Sequence, residues 1–206
     1  MFFEFLYWTV GRRIKWIYRL QPEGLENLPR HGVLLCPNHA SNWDPVLIGV
    51  CLPHNYHLRI MAKEALFHNK ALAWLIRKLG AFPVTRGTAD IQSVKTAMQV
   101  IKDGQNLLIF PEGTTIRNGL GYVDGLPPHA HSGIAVIGVR SGATLVPVFA
   151  DGPKKPFHKH RIIFGKPYTP VYTGRRGTSE EMQKIADDIL EEAYALGGQK
   201  VGGEPL

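Results

Sequence analysis

The stretch "GVLLCPNHASNWDPVLIGVCL", Gly32 to Leu52, decides the fold class. It opens on a continuous apolar run, Val33 to Cys36, closed by Pro37. A run that short and without alternation reads as a strand buried on both faces. A polar loop follows, and then Asp44 and Pro45 stand where a helix starts: a carboxylate near the amino end, and a proline in the first turn, where its missing N–H costs little. Strand, polar loop and apolar helix make the first half of a βα unit. The loop falls at the carboxyl end of the strand, where open α/β sheets bind their ligands.

The same alternation continues outward. "YHLRIMA" (56–62) reads as a second strand, "NKALAWLIRKLG" (69–80) as a helix closed by Gly80, and "AFPV" (81–84) as a short strand. Ile91, Val94, Ala97, Met98 and Ile101 recur at helical spacing up to Gly104, and "NLLIF" (106–110) is again strand-like. "HSGIAVIGVRSG" (131–142) predicts a buried helix, "ATLVPVFA" (143–150) a strand and "RIIFG" (161–165) an edge strand. Thr178 and Glu181 form a capping-box pattern ahead of a helix with Met182, Ile185, Ile189 and Leu190 on one side. This pattern predicts a single α/β domain over 21–206, a sandwich with a central, largely parallel mixed sheet flanked by helices.

Residues 1–20, "MFFEFLYWTVGRRIKWIYRL", stand apart. Their longest uncharged run, Phe5 to Gly11, is far below the roughly 18–20 residues that a membrane span needs. On a helix, Phe3, Leu6, Val10, Ile14 and Ile17 fall on one face and Glu4, Arg12, Lys15 and Arg19 on the other. Aromatic residues and arginines on such a helix predict an element lying in the headgroup plane, a peripheral or monotopic attachment. No charged leader or small-residue cleavage site accompanies the apolar start.

With 206 residues, 44% hydrophobic and 20% charged, the chain can bury one core and does not read as disordered. A net charge of +7 and a pI near 9.5 suit an anionic partner: nucleic acid, an anionic membrane or a phosphorylated substrate. Two cysteines, Cys36 and Cys51, lie in apolar surroundings and read as buried thiols, in keeping with a reducing compartment.

Three polar clusters follow apolar strands: "NHASNWD", "TRG" and "EGTTIRNG". Three strand ends with reactive groups suggest one shared pocket. His39 and Asp44, five residues apart, are open to three readings: a base with its orienting carboxylate, half of a metal site, or polar residues decorating a turn. Further imidazoles, His129 and His131, are distant in sequence. Gly113 lets main-chain amides approach a ligand, Glu112 supplies a carboxylate, and Arg117 and Arg86 offer guanidinium forks for phosphate. No Gly-x-Ser-x-Gly elbow and no P-loop occurs.

In this order and spacing, "NHASNWD", "GAFPVTRG", "FPEGT" and "LVPV", spread over residues 32–150, resemble the four blocks of the glycerolipid acyltransferases, in particular those acting on 1-acyl-sn-glycerol 3-phosphate. The resemblance implies transfer of an acyl group from acyl-CoA or acyl carrier protein to the sn-2 hydroxyl, forming phosphatidic acid. It implies His39 as general base and Asp44 as its partner, with Lys63 and Arg86 on the acceptor phosphate and Glu112, Gly113 and Thr114 lining the acceptor side. It also implies membrane lipids as partners, the cytoplasmic face of the membrane as location, no nucleic acid, no metal, and no cofactor beyond the thioester substrate. Two departures stand out. Thr115 replaces the arginine of the usual Glu-Gly-Thr-Arg, with Arg117 two residues later, and "PPHAHSG" stands where a lysine pair is common. They leave open another lysophospholipid or glycolipid acceptor, or a non-catalytic lipid-binding relative.

Overall fold

The computed structural model describes residues 10–84, 91–115, 129–202 and 205–206. Helix α1 (Arg12–Ile17) leads into β1 (Leu20–Glu23) and β2 (Val33–Pro37). Then come α2 (Asp44–Cys51), β3 (Leu58–Lys63), α3 (Lys70–Lys78), β4 (Ala81–Val84), α4 (Ile91–Lys102) and β5 (Asn106–Leu108). The chain closes with α5 (Gly133–Ser141), β6 (Thr144–Ala150), β7 (His160–Phe164) and α6 (Ser179–Leu196). The strands form one sheet in the order β1-β7-β6-β2-β5-β3-β4, parallel throughout except for the antiparallel pair β6–β7. This is the single α/β domain with a largely parallel mixed sheet that the alternation of elements predicts.

Every residue of β2 is buried, because helices cover both faces of the sheet. Successive side chains point to opposite faces. Leu34 and Cys36 pack with Leu107 and Leu145 beneath α4, α5 and α6, while Val33 and Leu35 pack with Leu108, Val146 and Phe164 beneath α2. On α6, the predicted Met182, Ile185, Ile189 and Leu190 are all buried, and the predicted capping box is formed. The Thr178 hydroxyl accepts the Glu181 N–H at 3.1 Å, and the Glu181 carboxylate accepts the Thr178 N–H at 2.6 Å.

Two local readings differ from the structure. "RIIFG" is not at the edge: β7 lies between β6 and β1, and the edge strand is β1, within a segment whose turn residues hid it. Leu20–Glu23 contains Pro22, which a strand tolerates at an edge, where one side has no ladder to complete. For the same reason a helix over 1–20 stops short: α1 ends at Ile17, Arg19 turns the chain at φ +40°, and Leu20 pairs with His160. Phe3, Glu4 and Leu6 lie outside the described residues. Among the described residues no helix is long and apolar enough to cross a membrane.

The apolar side of α6 seats the helix on the sheet. Ile189→Ala, at a fully buried position, should lower the unfolding free energy by about 2–5 kcal/mol, read as a lower urea midpoint at unchanged slope.

Candidate active site

Strand β2 is central, with β5 on one side and β6 on the other, so its carboxyl end is flanked by two further strand ends. Asn38 ties the first junction: its side-chain carbonyl accepts the Ala150 N–H at 2.7 Å and its amide donates to the Ala150 carbonyl at 3.0 Å. His39 follows. Its main-chain N–H donates to Glu112 Oε2 at 2.7 Å, and the other Glu112 oxygen accepts the Tyr194 hydroxyl of α6 at 2.7 Å. The imidazole stacks on Phe110, centroids 3.8 Å apart and planes 23° apart. Backbone and ring plane are thereby set by different parts of the β5 end.

Asp44, the first residue of α2, is fully buried. Its Oδ2 accepts the Ser41 N–H at 2.7 Å and faces His39 Nδ1 at 3.2 Å. A carboxylate there keeps the proton on Nδ1 and turns Nε2 to the open side. Nε2 lies 2.9 Å from the Thr115 hydroxyl, which is also 2.9 Å from Asn42 Oδ1. A hydroxyl has a single proton to give. With Nδ1 protonated and Nε2 as acceptor, the single Thr115 proton is shared between two acceptors, His39 Nε2 and Asn42 Oδ1. On the far side, Asp44 Oδ1 is 3.5 Å from Lys154 Nζ, whose side chain is fully buried.

Burial pushes the Glu112 carboxyl up to about 7 from an ordinary 4.5. The hydrogen bonds from Tyr194 and His39 oppose that shift, and the nearby Asp44 charge adds to it. Burial, and then the Glu112 charge, push the Tyr194 phenol up as well. Burial likewise raises both thiols, Cys36 and Cys51.

Gly113 turns the chain at φ +64°, and a Cβ there would lie 2.7 Å from the His131 ring. Only glycine meets both demands. That contact brings the "HAH" segment against the site: His131 donates its N–H to the Pro111 carbonyl at 2.9 Å, and its ring stands 5.7 Å from that of His129. Among the described residues no three metal-type side chains converge.

The structure therefore brings together His39, Asp44, Glu112 and Gly113, with Thr114 exposed on the same turn. Lys63 is the exposed last residue of β3, in register with Val84. Arg86 and Arg117 lie outside the described residues. Sequence reasoning passed over Asn38, Phe110, Lys154 and Tyr194. Only Lys154 carried a signal: "DGPKKP" is a fourth polar loop at a strand end, after "ATLVPVFA".

A buried histidine with a carboxylate on its Nδ1, at the carboxyl end of a parallel strand of an α/β domain, has the groups that acid–base chemistry needs. Residues 19–151 match the family model described as Acyltransferase, and the chain belongs to that family. It is 34% identical over 149 residues to the 1-acyl-sn-glycerol-3-phosphate acyltransferase of Bacillus subtilis (strain 168), covering 69% of this chain and 70% of that one. It is 28% identical over 178 residues to the enzyme of the same name from Streptococcus pneumoniae (strain ATCC BAA-255 / R6), covering 84% and 62%. A shorter stretch, 88 residues, is 34% identical to the lyso-ornithine lipid O-acyltransferase of Pseudomonas aeruginosa, covering 42% of this chain and 33% of that one. In fold it is similar to the crystal structure of the 1-acyl-sn-glycerophosphate acyltransferase PlsC from Thermotoga maritima, with a TM-score of 0.65 at 21% identity, covering 95% and 83%.

The raised Glu112 carboxyl has a consequence for stability. Its contribution is fully present below about pH 4.5 and is lost as pH rises through about 7. A shift of that size corresponds to about 3 kcal/mol. In Glu112→Gln the carbonyl can accept the His39 N–H while the amide faces Tyr194, with no charge to bury. The melting temperature of Glu112→Gln should gain on that of the wild type between about pH 5 and about pH 8. Parallel curves across that range would show that the Glu112 charge is not held at a loss.

Proposed function

We propose that the chain transfers an acyl group from an acyl thioester, on CoA or acyl carrier protein, to the sn-2 hydroxyl of 1-acyl-glycerol 3-phosphate. The observation that carries this reading is the hydroxyl at 2.9 Å from His39 Nε2, with Nδ1 held by Asp44. A hydroxyl fits there in hydrogen-bond geometry, as an acceptor alcohol must. When the acceptor enters, the Thr115 side chain turns toward Asn42 and the substrate hydroxyl takes its place. His39 removes that proton as the oxygen attacks the thioester carbonyl. The C–S bond breaks, and the thiolate leaves with the proton returned from the imidazolium. Asp44 orients the ring and stabilises its cation, and no acyl-enzyme is required because the thioester is already activated. The names of the relatives support this acceptor. Lys63, Arg86 and Arg117 supply cations for its phosphate.

A second acceptor class has an observation of its own. Thr115 stands where the family pattern has arginine, so one fixed cation is replaced by a hydroxyl bonded within the site. A lysolipid whose headgroup needs fewer cations, another lysophospholipid or a glycolipid, suits that change. His39→Ala should lower transfer by about 10²–10⁴-fold with the fold intact. A panel of lysolipid acceptors, each tested with acyl-CoA and acyl carrier protein donors, should give the highest kcat/KM for 1-acyl-glycerol 3-phosphate. A different best acceptor with His39→Ala still inactive would move the assignment to the second class. A wild-type rate in His39→Ala would remove the base.

The acceptor is a membrane lipid, and we infer a peripheral seat on the bilayer at this end of the sheet. β7 runs against β6, so His160 and its partner Leu20 lie at the carboxyl end of β6, beside the site. Three exposed aromatic rings gather there: Trp16 (72% exposed), Phe157 (62%) and Trp43 (49%). Trp16 and Phe157 meet edge to face at 6.0 Å, and Phe157 is held outward at φ +64°. Arg12, Arg13 and Arg19 are exposed in the same segment, as an anionic headgroup layer favours. Trp16→Glu with Phe157→Glu should reduce sedimentation with anionic liposomes by at least about tenfold, since each change puts a charge in place of apolar area that the bilayer would bury. Unchanged sedimentation would place the contact elsewhere.

A further inference from the structure

Lys154 is a loop lysine with no side-chain exposure. Lysine is among the residues least often buried, and an ammonium removed from water needs charge partners. Here it has two carboxylates: Asp44 Oδ1 at 3.5 Å and Asp151 Oδ1 at 2.9 Å. It also donates to the carbonyl of Asp151 and, at 3.2 Å, to that of Gly152. Asp151 is itself held by His160 Nδ1 at 3.0 Å and by the Arg161 N–H at 3.0 Å. The Lys154 contact is what Asp44 Oδ1 has in place of a hydrogen bond, since that buried oxygen accepts none. A line of alternating basic and acidic groups thus leads away from the imidazole: His39, Asp44, Lys154, Asp151, His160.

We propose that Lys154 is a positioning residue for acyl transfer, acting through Asp44. The inference rests on the reading of His39 as the base. The ammonium fixes the direction of Oδ1, so that Oδ2 is left for Nδ1. It also draws on the same negative charge that stabilises the His39 cation. With the ammonium gone, that charge acts on the imidazole alone, the imidazolium persists to higher pH, and the base is occupied by a proton when it should be free. The other groups that could shape the titration are Glu112 with Tyr194 on the β5 side, Asp151 and His160 behind Lys154, and Cys51 and Lys15 near α2. All of them are retained in a Lys154 variant, so a difference between profiles reports the ammonium.

The test compares kcat/KM against pH for the wild type and Lys154→Met, an unbranched uncharged replacement. The acid limb of the variant should lie about one unit higher, with a loss of about tenfold below the limb that vanishes on the alkaline side, and with the acceptor KM within about twofold of wild type. A profile of unchanged shape, whether at full rate or uniformly lowered, would overturn the proposal, because a loop staple alone loses activity without moving the limb. Stability gives a second readout should Lys154→Met fold poorly. If ammonium and carboxylate are partners, Lys154→Met in an Asp44→Asn background should melt higher than the sum of the two single losses allows. Additive losses would overturn it. His39→Ala separates this inference from its foundation. Inactive His39→Ala with a wild-type profile in Lys154→Met ends the role of Lys154 alone, while active His39→Ala removes the base that Lys154 would serve.

Discussion

The carboxylate of Asp44, closed off from water at the end of the sheet, is the interaction on which the site depends. A buried charge is tolerated only where each oxygen finds a donor or a cation. Its partners come from two separate segments. Ser41 and His39 belong to the loop that leaves β2, and Lys154 belongs to the loop that leaves β6. They meet because β2 and β6 are neighbours in register, Pro37 beside Val148, and because the Asn38 side chain ties that junction to Ala150. As the first residue of α2, Asp44 also lies at the positive end of a helix, a further stabilisation of about 0.3–1 kcal/mol. Sheet order, helix start and loop path all serve one carboxylate.

Glu112 answers a different need. Asp44 orients the imidazole ring, but a ring is only as well placed as the backbone that carries it. Glu112 fixes that backbone from the other neighbour of β2 by accepting the His39 N–H. It is fixed in turn by the Tyr194 hydroxyl, near the end of an 18-residue helix whose apolar side is sunk in the core. The charge is held against the pull of burial, and each oxygen accepts one hydrogen bond, from the His39 N–H and from the Tyr194 hydroxyl. Core packing of α6 therefore reaches His39 through two hydrogen bonds. The sequence motif that places a glutamate before Gly113 is, in this structure, an anchor for the imidazole rather than an exposed ligand.

Much of this was legible in the chain, for reasons that can be named. Buried strands and amphipathic helices leave periodic traces, so β2, β6 and α6 were read close to their observed limits. The pair His39 and Asp44 is local, five residues within one loop, and local geometry survives in sequence. β1 was not legible because Pro22 and Glu23 read as turn residues, and their strand state comes from pairing with β7, some 140 positions away. Tyr194 reads as one more core aromatic of α6, because its hydrogen bond to Glu112 spans 82 positions. Lys154 stands in a polar loop at a strand end, but a loop lysine reads as facing water, and here two carboxylates converge on its ammonium.

Thr115 then takes on a meaning that its chemistry alone does not suggest. In the family pattern the position carries a cation, which would meet the acceptor by charge. Here a hydroxyl bridges Asn42 and the open nitrogen of His39. A long cation reaches outward to a headgroup, whereas a short hydroxyl bonds back to the machinery. The substitution therefore removes one charge and sets a hydroxyl 2.9 Å from His39 Nε2. An acceptor must displace that bond to be deprotonated, and it gains only the difference between its own hydrogen bond and the one lost. Under the proposed mechanism, affinity for the acceptor must come from elsewhere: from Lys63 at the end of β3, or from the lipid surface on which the proposed seat of the aromatic rim would place the enzyme. Under that mechanism, the weaker the charge contribution, the more the enzyme would depend on a lipid surface for substrate. That joins the exposed Trp16 and Phe157 to the chemistry at His39 as parts of one requirement.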